Sequence, residues 1–122
     1  MARMIDKAFG WLLLVGALLH AYGSVTGYPA GSETQVWALS GTLAAALTAG
    51  LNLLRAGRRG DPALAWLAAA ASLCWACVAL GFGAAIGAVL DPRVLWHVVA
   101  SLALLGFSLR SISRDKADHL LG

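Results

Sequence analysis

Residues 63–90 form a run of 28 without a single Asp, Glu, Lys or Arg. As one helix that run is about 42 Å long at 1.5 Å per residue, and the hydrocarbon core of a bilayer is only about 30 Å thick. The run therefore predicts a membrane-spanning helix that tilts, breaks or emerges near Gly81, Gly83 and Gly87. Three further apolar runs accompany it, so the expected spans are 8–25, 36–54, 63–83 and 94–110. Of the 122 residues, 60% are hydrophobic and 12% charged, and the mean hydropathy is +0.76. A soluble domain of this length is nearer one half apolar and one quarter charged, so too few polar side chains remain to cover a water-facing surface. The predicted fold is all-α. It is a single domain over 1–122, an up-down antiparallel four-helix transmembrane bundle whose short loops join neighbouring helices.

Charge placement gives an orientation. Arg3 and Lys7 precede the first span, Arg55, Arg58 and Arg59 lie between the second and third, and Arg110, Arg114 and Lys116 follow the fourth. Only Arg93 falls on the other side. Eight of nine Lys and Arg on one side place both termini in the cytoplasm of an inner-membrane, multi-pass protein. The net charge of +3 and pI of 9.3 do not point to nucleic acid, because the basic residues form short clusters instead of a continuous face. Arg55, Arg58 and Arg59 are placed to meet anionic lipid head groups. Trp11 and Trp66 fall at the inner span ends and Trp37 and Trp96 at the outer, as an aromatic belt requires; Trp75 sits mid-span. Asp61-Pro62 and Asp91-Pro92 open the last two spans, Asp as the N-cap and Pro in the first helical position. One competing reading concerns the first span. Arg3, Lys7, the apolar core and Ala21-Tyr22-Gly23 together resemble a secretory signal with a small-residue cleavage site, although the retained reading is a true span.

Small residues mark the faces along which helices meet in lipid. The expected inward stripes are Gly16, His20 and Ser24; Gly41, Ala45, Thr48 and Asn52; Ala70, Cys74, Cys77 and Gly81; and His97, Ala100 or Ser101, Leu104 and Ser108. Counting residues from the helix ends puts His20, Ser40, Cys77 and His97 in one layer, roughly 8 Å below the outer surface. Two imidazoles from different helices are candidate axial ligands for haem b or another tetrapyrrole, and with Cys77 a candidate Cu or Zn set. The competing structural reading has both histidines neutral and hydrogen-bonded to a hydroxyl or carbonyl of the next helix, with Ser24, Tyr22 and Ser101 as partners.

Gly16-x-x-x-His20 resembles the small-x-x-x-His pattern of chlorophyll-binding light-harvesting helices, over five residues. Cys74-Trp75-Ala76-Cys77 resembles the C-x-x-C of the thiol-oxidising and vitamin K epoxide reductase families. Those families relay electrons through a second cysteine pair, and this chain has no other cysteine. Size and span count are similar to the small proton-coupled multidrug exporters, whose working part is an intramembrane carboxylate. Here Asp6, Glu33, Asp61, Asp91, Asp115 and Asp118 are all expected in loops or tails.

With no nucleophilic triad, phosphate loop or acidic cluster, a non-catalytic role is expected. The leading reading is an accessory or scaffold subunit that packs with itself or a larger membrane complex. Gly41-x-x-x-Ala45-x-x-x-Ala49 and Gly83-x-x-x-Gly87 are its candidate close-contact surfaces. A haem or metal protein ligated by His20 and His97 is the alternative. A further one is a lipid- or quinone-binding bundle, with Tyr22 and Trp96 orienting a head group. At the outer surface Tyr22, Tyr28, Glu33, Asp91 and Arg93 are candidates for a polar cap.

Overall fold

A computed structural model describes residues 1–58 and 60–122; Arg59 of the inner basic cluster lies outside the described residues. Four helices follow in order: α1 (Ala2–Gly27), α2 (Glu33–Gly57), α3 (Pro62–Ala85) and α4 (Pro92–Leu121). There is no strand among the described residues, and each helix is long and apolar enough to cross a membrane. Every helix outruns its expected span, α4 by eleven residues at its C-terminal end. Charged side chains do not end a helix when they lie beyond its apolar part, so Asp6, Arg55 and Arg114 are helical instead of loop residues.

The helix starts follow their local chemistry. Asp61 Oδ1 accepts the Leu64 amide at 3.0 Å, and Asp91 Oδ1 accepts the Arg93 amide at 2.8 Å, each with Pro next in sequence. Ser32 caps α2 by accepting the Gln35 amide, while Gln35 Oε1 accepts from Gly31. The long uncharged run ends where glycine allows it. Gly87 has φ +68, Ala88 donates to the Gly83 carbonyl at 2.8 Å, and Gly87 donates to Ala84. This is a Schellman stop, which satisfies the last carbonyls of α3 and turns the chain toward α4.

Contacts run antiparallel between successive helices and close the ring between α1 and α4. Arg3 reaches the Ala56 and Gly57 carbonyls, Asn52 meets Ser72, Trp75 meets His97, and Phe9 lies against Phe107 with centroids 6.4 Å apart. α1 packs chiefly on α2 and α3 on α4, whereas α2 and α3 touch more sparsely. The core is small-residue packing around Leu13, Ala17, Ala45, Ala49, Trp75 and Leu104. Leu18, Leu19, Leu43, Trp37, Trp66 and Leu67 are exposed, while Asn52, Ser72, Ser101 and Ser108 are at most 1% exposed. Buried polar side chains set among alanines, under an exterior of large apolar ones, depart from the soluble pattern.

The inward stripes of α1, α2 and α4 are where the sequence puts them. That of α3 is not. Ala70, Cys74, Cys77 and Gly81 face outward, and Ala65, Ala68, Ser72, Trp75, Ala76, Ala79 and Gly83 face in. The Trp75 indole N–H needs an acceptor, which the interior supplies in His97, and cysteine is apolar enough to take its place among the outward apolar side chains.

Candidate functional site

The bundle holds two polar layers. In the one nearer the α1–α2 and α3–α4 turns, called outer in contrast to the inner one near the two termini, His20 of α1 and His97 of α4 approach edge to face, with ring centroids 6.4 Å apart and planes at 82°. Trp75 Nε1 donates to His97 Nδ1 at 3.1 Å. An indole N–H is a donor only, so Nδ1 carries no proton and His97 is the neutral Nε2–H tautomer. His20 Nδ1 shares a hydrogen bond with Thr42 Oγ1 at 2.8 Å, and Ser24 Oγ donates to the His20 carbonyl. Trp96 Nε1 donates to the Leu12 carbonyl at 2.8 Å, laying the indole across α1.

Of the four residues expected together, the structure brings His20 and His97 into contact, whereas Ser40 and Cys77 do not join them. Ser40 is exposed and donates to its own Trp37 carbonyl, and Cys77 faces outward. Thr42 and Trp75 stand in their places. A shift of two residues moves only about 3 Å along a helix but about 200° around it, so a residue two places away sits at nearly the same level but on the opposite face.

This layer does not fit a tetrapyrrole. A methyl group at Gly16 would lie 2.9 Å from the Trp96 ring and 3.2 Å from His97, and one at Gly41 would lie 3.7 Å from both His20 and Trp75. The side chains therefore close over the small residues that were to leave room for the porphyrin. Ligation through His97 would also have to displace the proton on Nε2 or the Trp75 bond on Nδ1. Among the described residues no three His, Cys, Asp or Glu side chains group as a metal set, Cys77 being turned away from both histidines.

The inner layer was not anticipated. Asp6 and Arg55 form a bidentate ion pair, 7% and 4% exposed, with Arg55 Nη1 to Asp6 Oδ2 at 2.9 Å. Arg55 also donates to Asn52 Oδ1, which accepts from Ser108 Oγ at 3.1 Å. Asn52 Nδ2 donates to Ser72 Oγ at 2.8 Å, and Ser72 donates to the Ala68 carbonyl. One connected network thereby ties all four helices. The expectation that every carboxylate lies in a loop or tail is corrected by Asp6, which is helical and buried. The signal was available: the stripe through Gly41, Ala45, Thr48 and Asn52 reaches Arg55 three residues on, and Gly16 leads back through Gly10 to Asp6.

The candidate packing glycines serve the bundle itself. Ala45 and Ala49 are fully buried in its core, and Gly41 lies beside His20 and Trp75. Gly83 packs against Val94, and Gly87 lies beyond α3 in the turn. Of the outer polar cap, Asp91 and Arg93 form a bidentate pair at 3.0 and 2.8 Å, while Tyr22 and Glu33 are exposed. Hydrogen bonds from the Arg93 side chain and amide hold the Asp91 carboxyl down to about 2.

Between α2 and α3 a groove of about 330 Å³ opens on the outside, lined by Ser40, Gly41, Ala44, Cys74 and Trp75 among others. The chain matches no family model, no curated protein and no solved structure.

Proposed function

We propose that the chain is an inner-membrane four-helix bundle with both termini cytoplasmic. It serves as a non-catalytic accessory or scaffold subunit that packs with a second copy or a larger membrane complex. One observation carries the reading: α3 turns a small-residue face, Ala70, Cys74, Cys77 and Gly81, outward beside the shallow groove it shares with α2. Small residues let another helix backbone approach closely, which is how helices associate where lipid removes the hydrophobic drive. The interior offers no competing use, since the histidine layer and the inner network are occupied in joining the four helices. Orientation rests on the basic residues gathered at one end of the bundle, with Arg93 alone at the other.

The two cysteines supply the test. A thiol-specific bifunctional reagent applied to native membranes is expected to link Cys74 or Cys77 to a neighbouring chain, and Cys74→Ser/Cys77→Ser abolishes the product. Labelling confined to single chains, at every reagent length, would refute packing through this face.

A further inference from the structure

We propose that the inner end of the bundle binds an anionic glycerophosphate group, with Arg58, Arg110 and Arg114 as the side chains that hold the phosphate. A cavity of about 590 Å³ opens there between the first turns of α1, the end of α2 and the last turns of α4. All three arginines line it, and all three are exposed. The ion pairs among the described residues are Asp6–Arg55 and Asp91–Arg93, so no carboxylate takes up these three guanidinium groups.

The local structure suits an anion. Arg110 and Arg114 stand one turn apart on the side of α4 that lines the cavity, and like charges at that spacing repel. An anion between them replaces one repulsion with two attractions. Arg58 is fixed at the rim because its amide donates to the Leu54 and Arg55 carbonyls that end α2. Free carbonyls at a helix C-terminus disfavour an anion. Those of Ala56 and Gly57 are covered by Arg3, whose Nε and Nη2 donate to them at 2.9 and 3.2 Å.

Charge and wall chemistry narrow the ligand. Once Asp6 has paired with Arg55, four arginines of the lining stand against Asp115 and Asp118. That surplus favours a head group with no ammonium of its own. Guanidinium N–H groups match phosphate oxygens in geometry and charge. Ala2, Ala56 and Phe107 supply an apolar stretch of the same wall, which suits the glycerol and first methylenes of a lipid.

The inference rests on the membrane residence proposed above, which sets Arg58, Arg110 and Arg114 at head-group level, at or just past the ends of the apolar spans. Basic pockets at this depth between helices are where anionic head groups bind. An anionic phospholipid and soluble glycerol phosphate share this chemistry, and the experiment separates them.

The full chain, purified in an uncharged non-phospholipid detergent, is heated with added phosphatidylglycerol, phosphatidylcholine or soluble glycerol phosphate. Phosphatidylglycerol at a hundredfold excess over its Kd is expected to raise the midpoint by roughly 5 °C or more. Phosphatidylcholine is expected to raise it less. Arg110→Gln/Arg114→Gln is expected to lose the rise. Lys7→Gln/Lys116→Gln removes the same charge from the same end, at residues outside the cavity lining, and is expected to keep it. If the arginine double variant does not fold, Arg58→Gln, which leaves the backbone cap of α2 in place, is expected to shrink the rise and decides. A rise with the lipid alone identifies a head group as the ligand; an equal rise with soluble glycerol phosphate upholds the site and identifies a free solute. Equal rises with the two lipids, no rise with either glycerophosphate source, or a rise lost as fully in the lysine variant as in the arginine one overturns the proposal. The readout depends on neither orientation nor a protein partner, so it can fail while the scaffold reading stands, and the reverse.

Discussion

Asp6 and Arg55 are the residues on which the inner end of the bundle turns. Removing one partner of a buried pair strands the other charge, a loss of about 3–5 kcal/mol, whereas replacing both with apolar side chains of similar volume is near neutral. Asp6→Ala alone is therefore expected to lower the unfolding midpoint sharply in a detergent titration, and Asp6→Leu/Arg55→Met to recover most of it. Equal losses in the single and double variants would contradict a compensated pair. In the outer layer, Trp75→Phe keeps the ring and deletes the N–H that His97 Nδ1 accepts. It is expected to cost about 1–2 kcal/mol in the same titration, the range for an interhelical hydrogen bond between buried groups. A neutral result would mean that the Trp75–His97 bond contributes nothing to packing.

At the scale of the helices, one glycine in α3 and one in α4 separate packing from helix propensity. A Cβ at Gly83 would stand 2.9 Å from Val94 and 3.1 Å from the Val89 backbone, which cannot rotate away. Gly83→Ala is expected to destabilise by about 1–3 kcal/mol through overpacking. Gly106→Ala meets nothing within 4 Å and is expected to stabilise by up to about 1 kcal/mol through helix propensity, both read from thermal midpoints. The N-terminal cap of α4 carries a pH dependence. The Asp91 carboxyl sits near 2 in the fold against 3.8 for the free group. Its contribution is thus fully present above pH 3.8 and lost as pH falls through about 2. Amide resonances of the first turn of α4 should shift in that window, and Asp91→Asn should lose the shift.

Helix number, order and starts were legible because Asp-Pro pairs and uncharged runs act locally, without reference to partners. Which face of a helix turns inward is less so. For α1, α2 and α4 the polar and small residues share one stripe, and that stripe is buried. α3 offers two small stripes, one with cysteines and one with alanines, Ser72 and Trp75. The choice between them depends on acceptors supplied by α2 and α4, which its own sequence does not contain. The stripes of α1 and α2 point toward Asp6 and Arg55, but their pairing is not in either stripe: charges near a span end read as topology signals, and only the meeting of α1 with α2 makes them partners.

The whole molecule is a closed ring of four helices whose polar groups meet among buried alanines and whose large apolar side chains mostly face out. On the proposed reading, interaction with other proteins belongs to the outward face of α3, while the histidines pack between the helices. The most direct measurement is the apparent mass of the assembly released from native membranes by a mild detergent, compared among the wild-type chain, Gly81→Ile and His20→Leu. Gly81→Ile adds bulk to the outward face where no side chain lies within 4 Å, and His20→Leu removes an interior polar contact. The account predicts a wild-type assembly larger than one chain, lost in Gly81→Ile and kept in His20→Leu. A single-chain mass for the wild type, or an assembly that survives Gly81→Ile and fails in His20→Leu, would contradict it.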